Sequence, residues 1–341
     1  MDNLKISVTL VPHQEVYTSG QDVIGNVVVS AISTTACRAI FVKIKGYARV
    51  EWNTDDDDDP VRSDEEVYVE NTVTVWAGSN FGDNLMAGEF CFPFEFKLPP
   101  NIPSSYEGKY GHIRYLIEAK AEVPWGTSPL STCSFRVDGK YDLNHDPGAS
   151  EPVKFFEEST GCCSCCEQPP LIIDLKAVKT GYIPGENVLL TGKIINQTNS
   201  DVEDTKIKIK ETIKFKAQHH SKKKKQVLNK VRRPGFRAGN TDEWISFPIR
   251  IPVEAVCLQY CNIISAKYSI EITSSFGFCS LASVKEIIKV GSLPVGEVIK
   301  DNTLVSCGAP LPSAPPTENF GYEMQPILHQ PESSSPFIKQ E

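Results

Sequence analysis

From Ile40 to Trp52 every second residue is apolar or small: Ile40, Val42, Ile44, Gly46, Ala48, Val50 and Trp52. Successive side chains of a strand point to opposite faces, so this spacing describes a long strand with one buried face. Leu4, Ile6, Val8 and Leu10 repeat the pattern, as do Phe92, Phe94, Phe96 and Leu98, and Ile113, Tyr115, Ile117, Ala119, Ala121 and Val123. The alternating runs are punctuated by Gly, Pro, Asn and Asp, and no long stretch carries a helical period. Half-buried strands of this kind close their apolar faces by stacking sheet on sheet, which predicts an all-β fold of antiparallel sandwiches.

The pattern occurs twice. Tyr17-Thr-Ser-Gly20 is echoed by Tyr182-Ile-Pro-Gly185, Phe92-Pro93 by Phe247-Pro248, and the run Arg114 to Gly126 by Lys267 to Gly277, with Tyr-x-Ile-Glu in register. The echoes keep their order at nearly constant separation, as two tandem copies of one sandwich require. A chain of 341 residues is also long enough for about two domains at ~150 residues each. The expected boundaries are a first sandwich over 1–156, a Cys-rich linker over 157–170 and a second sandwich over 171–293. From Pro294 to Glu341 Pro and Ser accumulate and the alternation stops, which predicts a disordered tail.

The opening MDNLKISVTLVPHQ has no basic-then-apolar leader, and no run of ~18 apolar residues could span a bilayer. The expectation is a cytoplasmic protein whose eleven Cys are thiols, and in which the sequon Asn196-Gln197-Thr198 has no glycan. Lys+Arg 35 against Asp+Glu 43 gives −8, which argues against a nucleic-acid partner. The six His follow no HExxH spacing, and there is no GxSxG elbow, P-loop or GxGxxG after a strand. No enzyme, cofactor or metal site is expected.

Several segments resemble a known family. Leu98 to Trp125, LPPNIPSSYEGKYGHIRYLIEAKAEVPW, is similar to the signature of the first domain of arrestin-domain-containing proteins, the alpha-arrestins. Val42 to Trp52 resembles that family's early strand pair, Gly181 to Asn196 the opening of its second domain and Val284 to Pro294 its close. The resemblance covers roughly residues 4–294. It implies an arrestin-like pair of sandwiches and a trafficking adaptor, peripheral at plasma membrane and endosomes, that joins membrane receptor or transporter tails to sorting machinery. Family tails carry Pro-Pro-x-Tyr motifs for HECT ubiquitin ligases; here Pro315-Pro316-Thr317-Glu318 lacks the Tyr, which leaves a ligase link open. The family also implies two rivals: a redox regulator capturing thioredoxin through Cys261, and a retromer-like structural subunit.

Three features are candidate sites. Pro312-Ser313-Ala314-Pro315 resembles the ligand of the ubiquitin-E2-variant domain of ESCRT-I, and a Pro-rich extended segment suits a shallow groove. Lys206, Lys208, Lys210, Lys214 and Lys216 share one strand face, and Lys222, Lys223, Lys224, Lys225, Arg232 and Arg233 extend it. From Lys206 to Arg237 there are thirteen Lys and Arg against the single acid Glu211. Edge-protecting lysines explain such a strand by themselves; the added quartet points to an anionic membrane surface or an acidic cargo tail. Cys162, Cys163, Cys165 and Cys166 crowd too closely to close a zinc tetrahedron and are candidates for palmitoylation. An acidic run, Asp55 to Asp59, lies in a loop of the first sandwich and is read as solvated, with screening of the basic face as an alternative.

Overall fold

The computed structural model describes residues 3–12, 14–53, 61–78, 84–160, 169–277, 280–300 and 303–306. The first half of the chain forms β1 (Leu4–Leu10), β2 (Val16–Thr18), β3 (Asp22–Ala31), β4 (Thr35–Ala36), β5 (Ala39–Trp52), β6 (Arg62–Ala77), β7 (Asn84–Leu85), β8 (Gly88–Lys97), β9 (Tyr106–Gly108), β10 (Gly111–Glu122) and β11 (Leu130–Asp138). Sheet β1-β3-β8 faces sheet β2-β11-β10-β5-β6. Ile40, Val42, Ile44, Ala48 and Val50 of β5 and Ile113, Ile117, Ala119 and Ala121 of β10 are fully enclosed between them. The sequence alternation is thus read out directly as burial.

The second half forms β12 (Val153–Ser159), β13 (Leu171–Ala177), β14 (Gly181–Tyr182), β15 (Asn187–Asn196), β16 (Val202–Ala217), β17 (His220–Phe236), β18 (Thr241–Arg250), β19 (Ile264–Phe276) and β20 (Ser280–Val290), followed by the hairpin β21 (Glu297–Lys300) and β22 (Thr303–Ser306). Sheet β12-β13-β15-β18 faces β14-β20-β19-β16-β17. The sequence echoes occupy equivalent places. Tyr17 and Tyr182 are both buried on short strands that pair in parallel with the last long strand of their own sandwich. Gly20 and Gly185, at φ +84 and +87, make the same left-handed turn, which glycine adopts without a steric penalty.

One boundary differs from expectation. The junction at 156/157 falls inside β12, which pairs with β13 from Val153↔Ala177 to Ser159↔Leu171 and packs Phe155 into the second core. Glu157–Ser159 are therefore strand, and Gly139–Pro152 connects the sandwiches. At the end of the second sandwich the Gly296 N–H donates to Asn144 Oδ1 at 2.8 Å, and β21 pairs with β22. Backbone amides need partners when they leave water; those of β12 find them on β13, and that of Gly296 on Asn144.

The sandwiches share a core. Ile213, Phe215 and Ala217 from the end of β16, with Leu258, Cys261, Ile263 and Ile264, pack into the hydrophobic cluster of the first sandwich. The connecting segment is fastened to the exit of β20: Tyr141 N–H donates to Ser292 Oγ at 2.6 Å, and Lys289 pairs with Asp146 at 2.5 Å. Asn196 of the sequon is 1% exposed, closed in a turn with Thr198 and Ser200. A glycan has no access there.

Candidate functional site: a basic sheet face beside the domain seam

In β16 the odd positions from Ile207 to Ala217 point into the protein and the even positions point out. Directly opposed residues of an antiparallel pair share a face. The register therefore sorts the cations of β17: Lys206 opposes Arg232, Lys208 opposes Lys230, Thr212 opposes Lys225 and Lys214 opposes Lys223, all outward. Lys222 opposes Phe215, Lys224 opposes Ile213 and Arg233 opposes Thr205, all on the inward face. The quartet Lys222–Lys225 is split between two faces.

Three expected members consequently leave the rib. Arg233 makes a two-pronged hydrogen bond to Asp242, at 3.2 and 2.6 Å, and lies 4.5 Å over Trp244. This is a planar guanidinium used as structural cement. Lys222 donates to the Asn53 carbonyl at 3.4 Å and sits 5.5 Å over the Tyr110 ring, so it binds across the seam. Lys224 points to the inward side with Ile213.

The remaining rib has two ends with different electrostatics. At the far end, Asp204 holds Lys206 at 3.1 Å and Arg232 at 2.7 Å. Next to it Glu271 of β19 holds Lys208 at 3.5 Å and also pairs with Lys210. Burial alone would raise both carboxyls; their lysine and arginine partners prevail and hold them below the ordinary carboxylate range. At the seam end, Lys214, Lys216, Lys223 and Lys225 have no ion-pair partner among the described residues. Lys267, opposite Thr212 on β19, lies on the same face and is also unpaired among those residues. Neighbouring same-face residues on a strand are ~6.7 Å apart, so these five ammonium groups form one compact patch.

On the corresponding sheet of the first sandwich four cations are paired. Lys43 pairs with Glu70, Lys45 with Glu65 at 2.7 Å, Arg49 with Glu51 at 2.8 Å and Arg114 with Glu107 at 2.7 Å. Among the described residues, these four cations of the first sheet are paired, whereas the seam end of the second sheet gathers five lysines without an ion-pair partner.

The patch ends where the sandwiches meet. Gln218 N–H donates to Asp64 at 3.4 Å, and Asn262 gives Glu66 two hydrogen bonds of 2.9 Å. Glu211, the acid of the basic run, is 3% exposed and accepts from Gln226 at 2.5 Å and from the Tyr268 hydroxyl at 2.7 Å. Sequence reasoning counted Glu211 only as the one acid of the basic segment and missed this role; its odd position among even lysines was the available signal. Asp55–Asp59 lie outside the described residues, though Asn53 and Asp64 on either side both touch the β16–β17 hairpin. Pro312–Pro315 and Cys162, Cys163, Cys165 and Cys166 also lie outside them.

Cys261 is 8% exposed and accepts from Ile264 N–H at 3.1 Å. Burial pushes its thiol up, away from the exposed, electropositive setting of a reactive cysteine. Among the described residues no His, Cys, Asp and Glu group is arranged to hold a metal, and no helix is long and apolar enough to cross a membrane.

Residues 6–144 match the model of the arrestin (or S-antigen) N-terminal domain, and residues 168–295 that of the C-terminal domain. Among curated proteins, arrestin domain-containing protein 17 of Caenorhabditis elegans is 28% identical over 297 residues, covering 82% of this chain and 68% of that protein. Arrestin domain-containing protein 4 of Mus musculus is 25% identical over 300 residues, 85% of this chain and 72% of that one. Arrestin domain-containing protein 5 of Bos taurus is 25% identical over 328 residues, 91% and 97% of the two chains.

Proposed function

Because the chain belongs to the alpha-arrestin family, we propose that it is a trafficking adaptor that rests its second sandwich on an anionic membrane surface while holding a membrane-protein cargo. The observation that carries this reading is the patch of Lys214, Lys216, Lys223, Lys225 and Lys267, unpaired among the described residues, whereas Lys43, Lys45, Arg49 and Arg114 of the neighbouring sandwich are each paired with a Glu. Each lysine near an anionic leaflet contributes about 1 kcal/mol. Five together give useful residence without any deep pocket.

The tail motif Pro312-Ser313-Ala314-Pro315 then hands the complex to the ubiquitin-E2-variant domain of ESCRT-I. Weak contacts to lipid, cargo and sorting machinery become strong when joined on one chain, through effective concentration. Without Pro-Pro-x-Tyr, ubiquitin ligases are reached through another partner.

Pelleting with phosphatidylserine vesicles tests the face. Changing Lys214, Lys216, Lys223 and Lys225 to Ser should remove most binding at ~0.1 M salt, where screening acts over about 10 Å. Binding by the wild type that is indifferent to anionic lipid would reject the membrane contact. Binding of the full chain to purified ESCRT-I domain should vanish in Pro312→Ala/Pro315→Ala; unchanged affinity would reject the hand-over.

A further inference from the structure

Counted from the Tyr-x-Ile-Glu match, Phe276 is in register with Val123, and the turn Trp125-Gly126 comes two residues later than Phe276-Gly277. Both glycines take a left-handed turn, at φ +89 and +59, yet Phe276 is 2% exposed and Trp125 is 89% exposed. Trp125 stands outward at the end of the first sandwich remote from the seam. Three more apolar side chains stand exposed at that end: Ile32 at 69%, Met86 at 65% and Leu130 at 56%. They belong together, because Ile32 N–H donates to the Asn3 carbonyl and Thr35 pairs with Leu85. Asn3, Thr35, Trp125 and Leu130 line one cleft of about 510 Å³.

The chemistry of this end is distinctive. Neither the segment 30–36 (SAISTTA) nor 123–130 (VPWGTSPL) contains a charged residue. The charges come one step back from the tip: Lys5, Arg38 and Lys120, with Glu89 and Glu122, lie on the shoulders, Lys5 and Glu89 both opposite Ser30 and Lys120 opposite Leu130. Pro124 and Pro129 bracket the turn and limit its freedom.

We infer that this uncharged tip, with Trp125 at its apex, inserts into the headgroup region of a lipid bilayer. Tryptophan is favoured at that depth, with an apolar body and one N–H donor, and lysine or arginine set behind it reaches back to the phosphates. No charge in the two loops has to be desolvated. A second copy fits less well: the four side chains expose on the order of 500 Å² at a convex end, below the ~800 Å² per partner of a stable protein interface. The insertion is independent of the lysine patch, which lies on the other sandwich.

The test uses the full chain and vesicles of uncharged phosphatidylcholine with brominated acyl chains, at ~0.5 M salt, where the electrostatic contact is screened. Tryptophan fluorescence should be quenched in the wild type. The comparison is made in a Trp76→Phe background, because half-buried Trp76 pairs with Ile40 at the same end of the sheet. The quenching should be lost on adding Trp125→Phe, in which Trp52 and Trp244, 7% and 1% exposed, still report folding. Leu130→Asp, at a position more than half exposed, should lower vesicle binding severalfold with the melting temperature kept. No quenching in the wild type, or equal quenching in Trp125→Phe, overturns the inference. Concentration-dependent self-association lost in Trp125→Ser would give the surface to a second copy and overturn it too. Failure of the phosphatidylserine experiment leaves this result standing, because uncharged vesicles do not engage the lysines.

Discussion

Phe215, from the second sandwich, meets Tyr110 of the first edge to face, their ring centroids 5.6 Å apart. Tyr106 lies against the same phenyl ring at 6.4 Å. The end of β16 is thus part of a core built by the other domain. The two sandwiches are one packed body there, with Lys222 closing the outer side of the contact. The basic patch begins at the same place, so the orientation of the patch relative to the first sandwich is fixed by apolar packing.

Phe215→Ala should cost about 3–5 kcal/mol, the usual loss for a large buried aromatic. Because its contacts cross the seam, the single denaturant transition should separate into two. Urea unfolding followed by both tryptophan fluorescence and far-UV circular dichroism tests this; coincident curves with an unchanged midpoint would contradict the shared core.

Tyr268→Phe removes the hydroxyl that Glu211 and the Val256 N–H both use. Hydrogen bonds to ionised groups are worth roughly 1.5–3 kcal/mol, and a buried carboxylate left short of donors is expensive. A loss of about 2 kcal/mol is expected, readable as a lowered melting temperature. Anionic vesicle binding should be unaltered, since neither residue is on the outward face.

Arg233 and Lys223 should give opposite phenotypes. Arg233→Ser breaks the contact to Asp242 and the stack on Trp244, lowering stability by about 1–3 kcal/mol while leaving vesicle binding near wild type. Lys223→Ser should weaken vesicle binding and leave stability within about 0.5 kcal/mol. Melting curves and pelleting on the same two proteins separate the cement from the surface.

The fastening of the connecting segment should weaken in acid. The bond from Lys289 is the main reason that the Asp146 carboxyl sits below its ordinary value, with Tyr141 and the Gly148 N–H adding to it against the effect of burial. A depressed folded-state pKa means that the stabilisation is present above the unfolded value near 3.8 and is lost as pH falls through the folded value. Amide exchange at 140–148 and 291–296 should therefore rise below pH ~4, and Asp146→Asn should show faster exchange already at neutral pH. Exchange in the variant equal to wild type would remove Asp146 from the fastening.

Thiol accessibility separates the adaptor reading from a redox one. Cys91 is exposed and Cys261 buried, so a native-state alkylating reagent should modify Cys91 promptly and Cys261 only on unfolding. Prompt labelling of Cys261, or a mixed disulfide formed there in the folded protein, would revive thioredoxin capture.

Local periodicity made much of this molecule legible. Alternation named the buried faces of β5, β10 and β16 residue by residue, because a strand's two faces are set by neighbours two positions apart. The echoes of Tyr17 and Gly20 at Tyr182 and Gly185 announced a second sandwich for the same reason: each turn is encoded within four residues. Where the pattern was weak the reading slipped, as at β12, whose Val153 and Phe155 alternate too briefly to be told from a linker.

The sequence by itself determined two β-sandwiches, a lysine-rich strand face and a chain whose acidic total conceals it. Only the tertiary structure decided which lysines stay unpaired. Asp204 neighbours Lys206 in the chain but is shared with Arg232 across the hairpin, while Glu271 arrives from a strand some sixty residues away and reaches Lys208 and Lys210 but not Lys214. The physical reason is that a charge is neutralised by whatever lies within about 4 Å, and register, which the bulge between Ile209 and Lys210 helps to set, selects those neighbours from distant parts of the chain.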